Sequence, residues 1–294
     1  MRVYLQAPRV ESKSLDRVAT ALKMYAPPEV EVVDSYSEAD LVILHVIGRK
    51  EQMETGAASL MFAGKEYAVI QYCVRSTQKP NTKDWVDFWK HAKLVWSYYD
   101  LKEMCREDGS QFNANFYHAP LAASSAVFED RLHLNGNRPY LAMTHGQSWL
   151  TEGVREVVWA SRRVGKPVFH LGQHFHRGHG IHSAHNITDV ALADKYASCD
   201  YVCPLRRVEG FELPAVEGLL CGTRPVLFDA PHYKQWYGDL AEYIPEVPRP
   251  GVVEALSDLF KKPKRPVTPK ERAFVAEFFN WPRIATQFWE RVLN

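Results

Sequence analysis

No apolar run in these 294 residues approaches the roughly 18–20 needed to cross a bilayer, so no integral membrane association is expected. Neither sign of charge is in excess. Lys plus Arg number 36 and Asp plus Glu 35, for a formal +1. That excludes a whole-chain basic surface of the kind that drives sequence-independent nucleic-acid binding, and leaves room only for a local patch. Cysteine is scarce: five residues, an odd number, with no CxxC pair. Cys199 and Cys203 fall around a predicted strand, where positions i and i+4 lie about 13 Å apart, beyond the reach of a disulfide. The opening Met1–Leu5 reads as a buried strand and lacks the apolar core and cleavage site of a signal peptide. A reducing, cytoplasmic setting is the expectation. Internal repeats and low-complexity tracts are missing, apart from the basic loop Lys261–Arg265. What is present is an ordinary globular balance, 46% hydrophobic and 24% charged, which excludes disorder, collagen and coiled coil as global descriptions.

The first half alternates short apolar runs with helical patterns. Strands are predicted at Val3–Gln6, Val30–Val33, Leu41–Val46, Ala68–Tyr72 and Leu94–Trp96, with a short extended piece at Asn115–His118. Helices are predicted near Ser14–Tyr25, Gln52–Phe62 and Trp85–Lys90. The unbroken Leu-Val-Ile-Leu of the third strand is that of a strand buried on both faces. Such alternation means a parallel sheet flanked by helices. After the polar stretch Asn135–Pro139 the pattern restarts. Strands follow at Tyr140–Met143, Val168–Leu171, Tyr201–Pro204 and Pro225–Phe228, and helices at Gly153–Val164, Asp189–Ala197, Pro214–Leu220 and Val252–Leu259. Thr268-Pro269-Lys270-Glu271 is a capping box with Pro at the first helical position, starting a helix to about Phe279. Trp281-Pro282 is expected to break it before a last helix, Arg283–Leu293. The fold class is therefore α/β, with two tandem Rossmann-like doubly wound domains. The expected bounds are 1–135, 136–280 and a final helix, 281–294, that crosses back to the first domain.

Cys199–Val226 is the most informative segment. A strand ends in a loop that feeds a helix N-terminus, where open N–H groups and the helix dipole favour an anion. Glu217 sits early in that helix, where its carboxylate can accept two hydroxyl hydrogen bonds, as from a ribose diol. Glu209, across the loop, can contact a second polyhydroxyl group, and Pro214 fixes the geometry of the helix start. The alternative for both acids is a pair of solvated charges.

The run Glu209–Val226, EGFELPAVEGLLCGTRPV, resembles the Glu-x7-Glu signature of glycosyltransferase family 4, typically EGFGLPxxEAxACGxPVV. Ile187–Pro204 and Phe228–Asp239 are similar to the stretches that flank this motif, the latter as a loop and phosphate-side turn. Asn115–Phe128 resembles the segment that closes the family's first domain. The likeness covers about 138–294 by motif and the first half by pattern. It implies a GT-B glycosyltransferase that moves a sugar, a hexose in the leading reading, from a UDP- or GDP-sugar with retention of configuration. The acceptor is left unidentified, as a glycan or other hydroxyl compound or a small molecule. No obligatory metal is implied. Glu217 would bind the donor ribose. Glu209, with a catalytic role, and Gly210, Phe211, Glu212 and Leu213 would face donor sugar and phosphates. Gly146, after the second half's first strand, falls on the same donor side.

The family carries an Arg and a Lys after that strand, against the diphosphate. Here Thr144–Gly153 puts Gln147 and Glu152 where the cations are expected. Glu212 replaces a Gly, and the turn Gln6–Ser12 lacks the usual Gly-Gly. Arg206 and Arg207 are the candidate replacements, with plain surface charges as the alternative. Six histidines between His170 and His185 could bind zinc, or else line the nucleotide or an exposed loop. His45 ends a buried strand on the side where parallel sheets gather ligands. It is either a catalytic or acceptor-orienting group, or a core-edge histidine satisfied by backbone. Tyr72, Arg75 and His118 are candidates for the acceptor side. Two rival readings remain: transfer to a modified DNA base, supported by Lys261–Arg265, and a catalytically silent module that binds nucleotide-sugar, motivated by the missing cations.

Overall fold

The computed structural model describes residues 1–6, 13–46, 64–72, 74, 82–83, 85–129, 138–146, 152–172, 180–207 and 209–294. The predicted helix Gln52–Phe62, the Gln6–Ser12 turn beyond Gln6, most of Asn135–Pro139, and Arg75, Gln147, His174, His176 and His179 lie outside them. The chain divides into two compact units. The first comprises Met1–Leu121, Val208–Phe211 and Trp281–Asn294. The second comprises Ala122–Arg207 and Glu212–Asn280.

In the first unit, β1 (Arg2–Leu5), β2 (Glu31–Val33), β3 (Leu41–Val46), β4 (Glu66–Gln71), β5 (Val95–Ser97) and β6 (Phe116–His118) form one sheet in the order β2-β1-β3-β4-β5-β6. Every pairing is parallel. All six residues of β3 are buried, as a central strand covered on both faces requires. Helices α1 (Lys13–Met24), α2 (Val86–Trp89) and α3 (Leu101–Asp108) belong to this unit. Helix α3 is not among the predicted helices, although its local signals are present. Asp100 caps the first turn by accepting from the Glu103 N–H at 3.0 Å, and Gly109 ends the helix in the left-handed region.

The second unit opens with α4 (Ser125–Phe128). Its order is then β7 (Tyr140–His145), α5 (Val154–Val164), β8 (Val168–Leu171), β9 (Ile181–Ala184), α6 (Asp189–Ala197), β10 (Cys199–Val202), α7 (Leu213–Leu220) and β11 (Arg224–Phe228). It closes with α8 (Pro231–Tyr237), β12 (Glu242–Ile244), α9 (Arg249–Lys261) and α10 (Pro269–Phe278). The strand order is β12-β11-β10-β7-β8-β9, again parallel throughout. Helix α4 follows the first segment of the first unit, which ends at Leu121, and precedes the polar stretch. It is held where the structure puts it by the Cys221 Sγ–Phe128 carbonyl contact at 3.2 Å and by the Phe128 and Tyr196 rings.

Three further readings are corrected. Strand β10 ends two residues earlier than Pro204, because proline has no N–H for the ladder and the last bond is Cys203 N–H to Met143 O at 2.8 Å. Phe228–Asp239 is not a loop but carries α8, opened by Pro231 at its first position. The break before the last helix, α11 (Trp281–Leu293), falls at Phe279-Asn280, so that Trp281-Pro282 starts α11. Helix α11 lies in the first unit. Trp289 donates to the Leu22 carbonyl at 3.0 Å, and Phe288 packs on Trp96 at 5.5 Å between ring centroids. The Thr268–Glu271 capping box forms as the sequence predicts. Among the described residues no helix is long and apolar enough to cross a membrane.

Candidate functional site

Each sheet reverses its strand order once, between β1 and β3 in the first unit and between β7 and β10 in the second. In open parallel sheets the crevice outside the carboxyl ends of the strands at that point is where ligands bind.

In the second unit β7 ends at His145 and β10 leads into the loop before α7. The Tyr196 hydroxyl, on α6, lies 2.9 Å from His145 Nε2 and donates to Glu217 Oε2 at 2.8 Å. A carboxylate only accepts, so the single phenol proton points to Glu217 and His145 Nε2–H donates to Tyr196. His145 is neutral. Burial, with smaller contributions from the Arg206 and His170 charges, lowers its pKa to about 3. Glu217 is 3% exposed, because α7 is an apolar helix buried along almost its whole length. Thr144 Oγ1 meets His170 Nδ1 at 2.9 Å on the neighbouring strand.

Arg206 lies between two carboxylates. Its Nε is 3.4 Å from Glu152 Oε1 and its Nη1 3.7 Å from Glu212 Oε2. Gly146 has φ +124°, a left-handed conformation, and a Cβ there would overlap the Glu152 carboxyl group. Glu212 is fully buried. Tyr233 shares its hydroxyl proton between the Arg206 carbonyl at 3.0 Å and Glu212 Oε1 at 3.3 Å, while the Tyr237 hydroxyl receives the Glu212 N–H at 3.1 Å and donates to the Glu212 carbonyl at 2.7 Å. Pro214 has no N–H, and the Ala215 N–H bonds back to Glu212 O at 3.0 Å. The start of α7 therefore offers an anion fewer N–H groups than the sequence implies. Arg207 turns elsewhere. It joins Arg249 on the buried Glu156, at 3.4 and 3.3 Å, and covers the Phe228 ring.

Glu209, Gly210 and Phe211 fall in the first unit, apart from Glu212, Leu213 and Glu217. A Cβ on Gly210 would overlap the Tyr99 ring, so only glycine lets the chain approach there. Phe211 packs on Tyr98, at 5.9 Å between ring centroids.

At the carboxyl ends of β3 and β4, His45 Nδ1 lies 2.8 Å from the Tyr72 hydroxyl, and the rings stack at 5.9 Å. Tyr98 bonds the Tyr72 carbonyl. Burial lowers the His45 pKa to about 4 and raises that of Tyr72 well above its ordinary value. His45 Nε2 is buried without a hydrogen-bond partner among the described residues. Two residues read separately in the sequence are thus one dyad. His118 is not part of it. It ends the edge strand β6, three strands from β3, roughly 14 Å across the sheet.

The histidine-rich segment divides. Phe169 pairs in register with His182, so His170, one residue on, faces the opposite side of the sheet from His182. No three His, Cys, Asp or Glu among the described residues could together hold a metal ion. Residues the sequence did not single out, Tyr196, His145, Tyr233 and Tyr237, complete the second unit's constellation. Their only sequence signal is position at strand ends and on helices beside the motif.

No protein-family model matches the chain, and no curated protein matches it. Solved structures do. A sucrose-phosphate synthase from Thermosynechococcus elongatus superposes with a TM-score of 0.76 at 11% identity, covering 98% of this chain and 97% of that one. HepE from Anabaena, in complex with UDP and glucose, gives 0.70 at 14%, covering 100% and 99%. AviGT4, a glycosyltransferase involved in avilamycin A biosynthesis, gives 0.64 at 12%, covering 99% and 96%. The two parallel six-stranded units are thus those of the GT-B fold.

Proposed function

We propose that this chain is a glycosyltransferase of the family 4 type. It would move a hexose from a nucleoside diphosphate sugar to a hydroxyl acceptor with retention of configuration. The observation that carries the reading is the Glu209–Glu217 motif, whose second carboxylate joins the strand-order switch of the second sheet through Tyr196 and His145. UDP is the first nucleotide to test, because the HepE structures hold UDP and UDP-glucose.

In this reading the second unit binds the donor. Glu217 takes the ribose diol and Arg206 the diphosphate, with Gly146 and Leu213 beside them. Arg207 supports α5 through Glu156. In transfer the bond from the sugar C1 to the phosphate oxygen breaks, one to the acceptor oxygen forms, and the acceptor hydroxyl's proton passes to the leaving phosphate oxygen. The departing diphosphate keeps the electron pair, and charge growing there favours a nearby guanidinium. In the same reading Glu209 and the neutral His45 carry the catalytic roles, with Tyr72 fixing the His45 ring. Calorimetry with UDP and GDP tests this. Glu217→Ala should weaken the bound nucleotide about tenfold or more, the effect of a lost pair of charge-assisted hydrogen bonds. Unchanged affinity in a folded variant would sink the assignment.

Two observations bear on the rivals. In the basic loop, Lys261 pairs with Asp258, Lys264 with Asp200 and Arg265 with Glu242, at 3.0–3.3 Å, which weighs against a DNA acceptor. The carboxylates flanking Arg206 favour a silent sugar-nucleotide-binding module as the second reading. Mass spectrometry that detects free hexose or glycosylated product decides between them.

A further inference from the structure

We infer that Glu152 is a resident anion: its carboxylate occupies, over Gly146 and beside Arg206, the place a donor phosphate must take, so that diphosphate binds by exchange with it. The inference rests on the proposed function only for the identity of the incoming phosphate.

The geometry is local to the second unit. Gly146 is the first residue after β7, and its missing Cβ is what makes room for the Glu152 carboxyl group. Glu152 Oε1 lies 3.4 Å from Arg206 Nε. Glu152 also immediately precedes Gly153, the N-cap of the eleven-residue α5, and glycine brings no side-chain oxygen to that cap. A guanidinium is a ready partner for an anion, and here the carboxyl group of Glu152 already lies against it.

Charge decides which group gives way. Two carboxyl groups, Glu152 and Glu212, face the one Arg206 guanidinium before any ligand arrives. A diphosphate added to that arrangement meets two carboxylates and one of the cations it needs, and like charges a few ångströms apart repel strongly in a partly desolvated crevice. One carboxylate must leave. Glu212 cannot: it is fully buried, and Tyr233 and Tyr237 hold its side chain and backbone. The Glu152 side chain retains 18% exposure and can swing to solvent. Arg206 then exchanges Glu152 for phosphate while Glu212 keeps the guanidinium aimed. Glu152 thereby sets donor affinity by competition, and Glu212 acts as a positioning residue.

The test is calorimetry with inorganic pyrophosphate, UDP, GDP and uridine on the wild-type chain and on Glu152→Gln, Arg206→Gln and the double variant. Glu152→Gln should bind pyrophosphate and UDP about tenfold tighter, the scale of one removed like charge. Uridine, which has no phosphate, should stay within about twofold. In the Arg206→Gln background the gain should shrink below about threefold, since the two residues act on the same anion. Pyrophosphate affinity that is unchanged or weaker in Glu152→Gln, with melting like the wild type, overturns the inference. So does a gain of equal size for uridine. Should Glu152→Gln melt low, Glu152→Asn carries the same expectation. The nucleotide reading fails separately, if UDP and GDP bind no tighter than pyrophosphate in any variant.

Discussion

The Tyr196 hydroxyl donates to Glu217 Oε2 at 2.8 Å and, on its other side, sits 2.9 Å from His145 Nε2. All three groups are buried, so the phenol satisfies two neighbours that water cannot reach. Tyr196→Phe should cost about 1–3 kcal/mol, the penalty for stranding buried polar atoms, and lower the melting temperature by a few degrees. It should also weaken UDP severalfold, because Glu217 loses the group that aims it. Denaturant melts and calorimetry on the same sample check both. An unchanged melt would show that the bridge is not formed in solution.

His45 and His145 predict a pH dependence of stability. Both are held neutral by burial, with pKa values lowered to about 4 and about 3. Unfolded, each titrates near its ordinary value of about 6.5. The unfolded chain therefore binds more protons as pH falls below that value. The stability these groups contribute is complete above about pH 6.5 and lost as pH drops through the folded values, with a slope of up to about 1.4 kcal/mol per pH unit for each histidine. Urea midpoints from pH 7 to 4.5 should fall steadily, and His45→Gln should flatten the curve. A His45→Gln curve parallel to the wild type would count against the assigned protonation state.

The helices and strands were legible where one element carries its own signal. Leu41–Val46 reads as a buried strand because both its faces are apolar, and Thr268–Glu271 starts a helix because the capping box is local. Strand β12 and the pairing of β8 with β9 were not legible. Glu242–Ile244 and Ile181–Ala184 are short, and a neighbouring strand, not their own pattern, makes them extended. The site shows the same division. Glu209 and Glu217 stand out as a spaced pair in a motif. Nothing in the spacing shows that Tyr196 bridges Glu217 to His145, that Arg207 turns to Glu156, or that Glu152 reaches Arg206. Those are consequences of strand order, which brings β7 beside β10, pairing Tyr140 with Cys199 far along the chain.

The two adjacent arginines should behave differently. Arg206→Gln should weaken UDP about tenfold or more by removing the diphosphate's guanidinium, with uridine little changed. Arg207→Gln should leave UDP within about threefold, because its partner is Glu156, which is 1% exposed. There the loss is of stability, about 1–3 kcal/mol for a buried carboxylate that keeps only Arg249. Paired binding and unfolding measurements separate the two. Equal loss of UDP affinity in both variants would place Arg207 at the phosphate instead.

Arg224 and Glu271 hold the second unit's final helix. The Arg224 guanidinium is 1% exposed and meets both Glu271 oxygens, at 2.8 and 3.1 Å, as well as the carbonyls of Leu240 and Pro266. Glu271 also closes the Thr268 capping box. Burial raises its pKa, but the bonds from Arg224 and Thr268 outweigh that and bring it down to about 2. The depression sets the sign. The pair's stabilisation is fully present above the unfolded carboxyl value near 4.5 and is lost as pH falls from there through about 2. Removing one partner leaves the other buried and unpaired. Glu271→Ala should therefore cost about 3–5 kcal/mol, whereas Arg224→Met with Glu271→Leu should recover part of it. Urea unfolding of the single and double variants measures the difference. A double variant less stable than Glu271→Ala would mean that the carbonyl contacts of Arg224, not its ion pair, anchor α10.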